Sequence, residues 1–388
     1  MSENPQATSG RSRRWAVLSL YHGGMLHVAS GIVHGLAAAD PAAALACFGP
    51  DPMPAALFPP KAELRHYPFP ANFSIRDAGR WLRTPVTLAA LRREIIRWRP
   101  DVLHVNSGFW LYPFLIPALA RHMPMVVTMH DIRPHPGERR PHHGWKLSVL
   151  LSHASRVIVH SEEMRRQAQV DWRLPADKLV VMPLVSHGHC IPAAAAGVQT
   201  HPADVLLFGR AYAYKGYDVF FRALPAIRAA VPGVRVTLAG TGDLRRWRNA
   251  GVAAGAELRV FNGYISEEET SRLFAETSVV VLPYIEASQS GVALLSAACS
   301  RPVVASRVGA IPQVVRDGDT GILVEPNDPV QLAEAIVRLL RDPLRRAHMG
   351  AAAREWTERE FGPMATGRRL LDIYEGVRRQ TSGKTIHA

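Results

Sequence analysis

VLLFGRAYAYKGYDVFFRAL, residues 205–224, holds a strand, a basic loop and a helix in succession. Val205 to Phe208 is a short apolar run of buried-strand type, Gly209 ends it, and from Tyr217 the apolar residues recur at helical spacing. The glycine permits a tight turn. Arg210 and Lys215 put two cations where the loop enters the helix, beside N–H groups that have no intrahelical partner and a positive helix end. That combination suits a phosphate or diphosphate. Taken by itself, the segment fits equally an ordinary strand-to-helix loop with two solvated cations.

The chain around it repeats the alternation. Downstream, strands are expected at 235–239, 258–261, 279–282 and 302–305, with helices at 217–230, 267–276, 292–299 and 330–341 and a helical tail over 351–379. Upstream, strands are expected at 15–21, 42–48, 64–67, 101–106, 125–129, 156–160 and 178–182. Helices are expected at 25–39, 78–99, 109–121 and 145–152, with Ser161 capping another. Residues 183–204, with a run of alanines between prolines, read as a linker. Strands separated by helices imply a parallel sheet, and two such series imply two doubly wound domains.

At 388 residues and 47% hydrophobic, the chain has material for two cores. No apolar run reaches the roughly 18–20 residues of a membrane span, and the apolar run after the basic start is too short for a signal peptide, so a cytoplasmic location is expected. Cys47, Cys190 and Cys299 are far apart, which argues against a disulfide framework or a zinc site. The net charge is +13, of which +9 falls in residues 1–195. Such an excess suits nucleic acid, an acidic membrane or a phosphorylated ligand. With no zinc-finger spacing, RNP-like strand or basic zipper, nucleic acid is set aside. The Trp and Arg content of 75–99 points to peripheral docking on an acidic membrane, at the inner face of the cytoplasmic membrane. Fourteen of the 17 histidines precede residue 195.

Beyond FGRAYAYKG at 208–216, six further segments follow in a recognisable order: AGTGD at 239–243, LPY at 282–284, SQSGV at 288–292, RPVVAS at 301–306, VGAIPQVV at 308–315 and DGDTGILVEPND at 317–328. The chain resembles the GT-B fold retaining glycosyltransferases of family 4 (glycosyl transferases group 1), over nearly all its second half. In the first half the likeness is thinner, through Gly23-Gly24 and the strand end VTMHD. The resemblance implies two Rossmann-like doubly wound domains facing across a cleft. Residues 1–190 would bind the acceptor and 191–360 the nucleotide-sugar, with a helix over 361–388 returning to the first domain. The implied activity moves a sugar from a nucleotide-sugar to a saccharide or lipid-linked acceptor, in bacterial polysaccharide or glycolipid synthesis, without a metal or other cofactor.

On this resemblance Arg210 and Lys215 hold the donor diphosphate. Gly23, Gly24, Gly209, Gly240, Ser288, Gln289, Ser290, Gly291 and Val292 complete the donor site. His130 lies near the transferred sugar, with Glu286 beside it, and Asn106, Asp131 and His135 face the acceptor. The chain also departs from the family, which usually carries two glutamates eight residues apart. Leu295 stands at the second position and Glu286 lies one residue before the first. A leucine accepts no hydrogen bond from a ribose, which keeps open a catalytically weak or inactive binding subunit. A sugar-nucleotide epimerase of the same fold is a third reading. Asp317-Gly318-Asp319 has the D-x-D form of a metal site but sits in a DGDTG turn, where Asp and Gly serve the backbone. His130, His135, His142 and His143 are too irregularly spaced for zinc.

Overall fold

The computed structural model describes residues 12–21, 23–70, 78–106, 109–133, 143–186, 188–191, 198–253 and 255–384. His135, called above for the acceptor, lies outside them, as does His142. The chain divides into two compact units. The first holds Met1–Thr128, Trp145–Val157 and Gly367–Ala388, and the second Met129–Gly144 and Ile158–Thr366.

Seven strands make one sheet: β1 (Arg14–Leu18), β2 (Ala44–Pro50), β3 (Ala62–Tyr67), β4 (Val102–Asn106), β5 (Met125–Thr128), β6 (Arg156–Val159) and β7 (Leu179–Val181). Their order is β3-β2-β1-β4-β5-β6-β7, and β1 to β5 pair in parallel. Six more form the second sheet: β8 (Asp204–Phe208), β9 (Arg235–Gly240), β10 (Glu257–Asn262), β11 (Val279–Leu282), β12 (Val303–Ser306) and β13 (Gly321–Val324), in the order β10-β9-β8-β11-β12-β13. Central strands such as MVVT and VVVL are buried at every residue, as expected of parallel strands covered by helices on both faces. Each order reverses at one point, between β1 and β4 and between β8 and β11. The crevice outside the strand ends at such a point is where ligands of doubly wound sheets bind.

The second sheet's core is built from Leu207, Val236, Val281 and Val304 packed with α6 (Tyr217–Ala230) and α11 (Pro329–Arg341) through Phe220, Leu224, Ile336 and Leu339. The buried carboxylate of Asp204 is surrounded by donors: Arg235 Nε, Thr237 Oγ1 at 3.1 Å and Thr277 Oγ1 at 3.3 Å. Burial raises its pKa against the pull of Arg235. On the first sheet, α13 (Pro363–Lys384) brings Tyr374 against the Trp15 ring at 5.4 Å, and Gly367 approaches Gly35 so closely that a Cβ there would stand 1.9 Å from its carbonyl oxygen. Tyr374 Oη meets His104 Nδ1 at 2.6 Å, and His104 Nε2 meets Thr128 Oγ1 at 2.6 Å. Among the described residues no helix is long and apolar enough to cross a membrane.

Three segments go beyond what the sequence shows. Arg245–Ala253 (α7), for which no element was expected, is a helix; Trp247, stacked on Phe221 at 5.2 Å, is its anchor. The helical tail is two helices, α12 (Pro343–Phe361) and α13, which meet at Gly362-Pro363, where proline has no N–H to continue the ladder. The linker region is partly tied down: Ser186 N–H donates to Phe361 O at 2.7 Å, and His201 N–H to Glu276 O at 2.7 Å.

Candidate functional site

At the reversal point of the second sheet, β8 delivers Gly209 with φ 107°, a 3-10 turn covers Ala213–Lys215, and Gly216 with φ 68° starts α6. Those backbone angles belong to glycine. A Cβ on Gly216 would stand 1.7 Å from Pro283 O, and one on Gly240 (φ 143°) 1.9 Å from Gly209 O. The close packing is matched by hydrogen bonds: Gly209 N–H to Ala239 O, Ala211 N–H to Thr241 O and Ile285 N–H to Tyr214 O, each 2.8 Å. The 209–216, 239–242 and 283–285 segments are therefore one cross-braced cradle. Lys215, half-buried, places Nζ 3.8 Å from the centre of the Tyr284 ring and 5.0 Å from that of Tyr214. Arg210, exposed, lies over Tyr212 at 4.9 Å. The rings hold the two cations by their negative faces, so the side chains are ordered before an anion arrives.

The 285–292 loop borders the same cradle. Ser290 caps α9 (Gly291–Ala298), its Oγ accepting from Ala293 N–H at 3.3 Å. The N–H groups of Gly291 and Val292 then fall in the first turn, where no intrahelical carbonyl reaches them. Val292 Cγ2 lies 3.8 Å from where a Gly209 Cβ would be, so this helix start adjoins the Gly209 turn. Ala310 N–H donates to Ser288 O at 3.3 Å and fixes the loop from behind. Gln289 Oε1 and the Tyr284 hydroxyl are buried without a hydrogen-bond partner. Buried polar atoms left so are costly, and a polar ligand removes that cost. Glu286 is exposed, and its charge contributes to raising the pKa of Arg133, which is held mainly by Asp171. Leu295, where a ribose-binding carboxylate was expected to be missing, is buried in α9.

His130 follows β5 and is buried. Its Nδ1 is 3.0 Å from Nε2 of His160, which follows β6, and His160 Nδ1 is 3.0 Å from Met182 O. Burial lowers the His160 pKa to about 4, opposed by the Met182 hydrogen bond and the Asp131 charge. His160 is therefore neutral at pH 7 and carries its proton on Nδ1, because a carbonyl only accepts. Its Nε2 accepts in turn from His130 Nδ1–H, which places the lone pair of a neutral His130 on Nε2.

In the first unit, Gly23 (φ 66°) starts α1 (Gly24–Ala39) after β1. A Cβ on Gly23 or Gly24 would meet nothing within 4 Å, so space lies over this turn. Asn106 ends β4; its amide donates to Met25 O at 2.9 Å and Ser19 Oγ at 3.2 Å, bracing the glycine turn. The D-x-D carboxylates serve the turn that carries them: Asp317 Oδ1 accepts from Leu323 N–H at 2.9 Å, Asp317 Oδ2 pairs with Arg307, and Asp319 pairs with Arg316.

The profile described as "Glycosyl transferases group 1" matches residues 202–342, and that described as "Glycosyl transferase 4-like domain" matches residues 23–184. The chain belongs to the group 1 glycosyltransferases. This glycosyltransferase is 28% identical over 295 residues to the glycogen synthase of Mycobacterium tuberculosis, covering 73% of this chain and 70% of that protein. It is 34% identical over 191 residues to a GDP-mannose-dependent alpha-(1-6)-phosphatidylinositol monomannoside mannosyltransferase of Mycolicibacterium smegmatis, covering 47% and 50%. The fold is that of the GT-B enzymes: Anabaena HepE, solved in complex with UDP and glucose, superposes with a TM-score of 0.68 at 15% identity over 93% of this chain and 99% of that one.

In this glycosyltransferase, Arg210, Lys215, Gly209, Gly240 and Ser288 to Val292 are gathered at one sheet edge. Two residues of the site were missed. The sequence shows Tyr284 only as part of LPY, and His160 only as the end of a strand. Nothing in the local sequence ties either to Lys215 or His130, since each contact is made between residues that follow different strands.

Proposed function

We propose that the protein transfers a sugar from a nucleotide-sugar to a saccharide or lipid-linked acceptor with retention of anomeric configuration and without a metal. The observation that carries this reading is the braced cradle at the end of β8, with Lys215 held between two tyrosine rings beside the start of α9. Lys215, Arg210 and the first-turn N–H groups of α9 offset the charge that builds on the departing diphosphate. An acceptor hydroxyl oxygen bonds to the anomeric carbon on the face the phosphate oxygen leaves. The carbon–phosphate oxygen bond breaks, and the nucleoside diphosphate takes the hydroxyl proton. His130 presents Nε2 to a hydroxyl of the sugar or acceptor, and Glu286 and Asp131 take the sugar and acceptor roles. Gly23 and Gly24 give the ligand close access to backbone. The metal-free reading rests on Asp317 and Asp319 being committed to their own turn.

The family's nucleotide-sugar chemistry, HepE's complex with UDP and glucose and the mannosyltransferase's lipid acceptor support this reading. Peripheral contact with an acidic membrane at the inner face of the cytoplasmic membrane belongs to it. Calorimetry with UDP-, GDP- and ADP-sugars, followed by turnover with acceptor extracts, tests it: one donor is expected to bind and turn over, and Lys215→Ala to lower turnover about a hundredfold or more. Leu295 favours a second reading, a sugar-nucleotide-binding subunit, because an apolar side chain fills the position of a ribose-binding carboxylate. Binding without turnover in any acceptor extract selects that reading.

A further inference from the structure

In the first unit, α2 (Ala78–Trp98) and α3 (Tyr112–Leu119) lie side by side and run the same way. Trp81, near the start of α2, packs on Trp110, just before α3, at 4.9 Å. At the other end, Arg92, Arg93 and Arg97 share a recess with Arg121 and His122, which follow α3. At 100° per residue, Leu82, Val86, Arg93 and Arg97 fall within about 60° of one another on α2, and Phe114, Ala118 and Arg121 do so along the line of α3. Each helix thus shows an outward stripe that is apolar in its first half and cationic at its end.

The exposure is high where burial would be expected. Leu82 is 84% exposed, Val86 69% and Phe114 61%, and Phe114 packs edge-on against Trp145, itself exposed, at 5.8 Å. Scattered apolar residues on a surface are ordinary, but here they form one end of a continuous face. Among the described residues no carboxylate lines the recess at its other end. Glu94 is directed elsewhere, to Arg65 and Tyr67. Among the described residues none of the four recess arginines pairs with a carboxylate. Like charges kept together without a counter-charge repel one another, and an external anion relieves that cost.

We propose that the α2–α3 face docks the protein on an acidic lipid bilayer, the apolar half entering the headgroup layer and the arginine recess lying on lipid phosphates. A free phosphate has no use for the apolar half, whereas an interface offers both environments in the order in which the helices present them. The inference rests on the membrane contact in the functional reading and gives it a place in the fold. Lipid binding is measured without catalysis, so its failure is separable from loss of turnover on a soluble acceptor.

The experiment is flotation with vesicles of phosphatidylcholine containing about one-third phosphatidylglycerol, at low and at physiological salt. The protein is expected to float with acidic vesicles, to stay behind with pure phosphatidylcholine, and to bind less as salt rises. The variant R93E/R97E/R121E should lower partitioning roughly a hundredfold or more, and L82S/V86S about tenfold or more. All five positions are exposed, so retained circular dichroism and an unchanged Tm are expected. Failure to float at low salt, equal binding to neutral vesicles, or a charge-reversed variant that partitions like the wild type would overturn the proposal. A dimer that these substitutions dissolve would place a second copy of the chain on the face and overturn it too.

Discussion

His160 holds His130 through a 3.0 Å contact between Nε2 and Nδ1, and is itself fixed by Met182 O at the same distance. The carbonyl can only accept, so the proton positions along the relay follow from one end to the other. His130 is left with its basic nitrogen at Nε2. A histidine so oriented accepts a hydrogen bond from a hydroxyl at a defined place, as ligating and catalytic histidines do when their second nitrogen is committed.

Nitrogen-15 shifts of the His130 ring, assigned by loss of signal in His130→Gln, are expected to show Nδ1 protonated and Nε2 unprotonated at pH 7.5 (roughly one unit above the ordinary imidazole pKa). In His160→Phe the acceptor disappears while the ring volume stays, and the proton should move toward Nε2. Turnover is expected to fall about tenfold to a hundredfold, with a smaller change in KM. An Nε2-protonated ring in the wild type would sink the relay.

The Lys215–Tyr284 contact makes a separable prediction. The ring holds the ammonium 3.8 Å from its centre, while the Tyr284 hydroxyl is buried without a partner. Tyr284→Phe keeps the ring and removes the orphaned hydroxyl, so turnover should stay within about twofold and stability should hold or rise. Tyr284→Leu removes the negative face, and kcat/KM should fall roughly threefold to thirtyfold, the range of a cation–π contact worth about 0.5–2 kcal/mol. Steady-state kinetics of the two variants against Lys215→Ala decides whether the ring positions the cation.

Gly24 and Gly240 should behave oppositely on substitution. Alanine at Gly240 drives a Cβ to within 1.9 Å of Gly209 O at a φ of 143°, so unfolding free energy should drop by about 2–4 kcal/mol, with loss of nucleotide binding as the cradle shifts. Alanine at Gly24 meets no protein atom within 4 Å and stands in a helix, so denaturant melts should be unchanged or slightly improved. If a ligand approaches that turn, the added methyl should raise KM for the nucleotide-sugar about tenfold or more. An unchanged KM would remove Gly24 from the donor site.

Much of this was legible in the sequence because it was local. The strand, glycine, basic loop and helix of 205–230 lie contiguous in the chain, and both sheets announce themselves through apolar runs and glycine punctuation. What escaped reading was non-local. α7 is held by Trp247 stacking on Phe221, a contact from another helix that its Arg-rich sequence cannot display. The His130–His160 pair joins the ends of neighbouring strands 30 residues apart. The break at Gly362-Pro363, by contrast, is local, and the helix expected from residue 361 starts there at Pro363. Tyr374, 270 residues from His104, finishes the first core with a polar contact that no window of sequence contains.

Those buried histidines set the acid limit of stability. Burial lowers the pKa of His104 to about 3 and that of His160 to about 4. Unfolded, each titrates near 6.5, so below that pH the unfolded chain binds more protons than the folded one, and stability falls as pH falls. Above pH ~6.5 the contribution is complete; from there down to about pH 4 each histidine removes roughly 1.4 kcal/mol per pH unit. Urea melts between pH 7 and about 4.5 should show this loss. His104→Gln should weaken stability at pH 7 through its lost contacts to Tyr374 and Thr128, yet flatten the acid slope by about half of the pair's contribution. A variant with the same slope as the wild type would mean that His104 is already protonated in the folded core, a state its fully buried position makes costly.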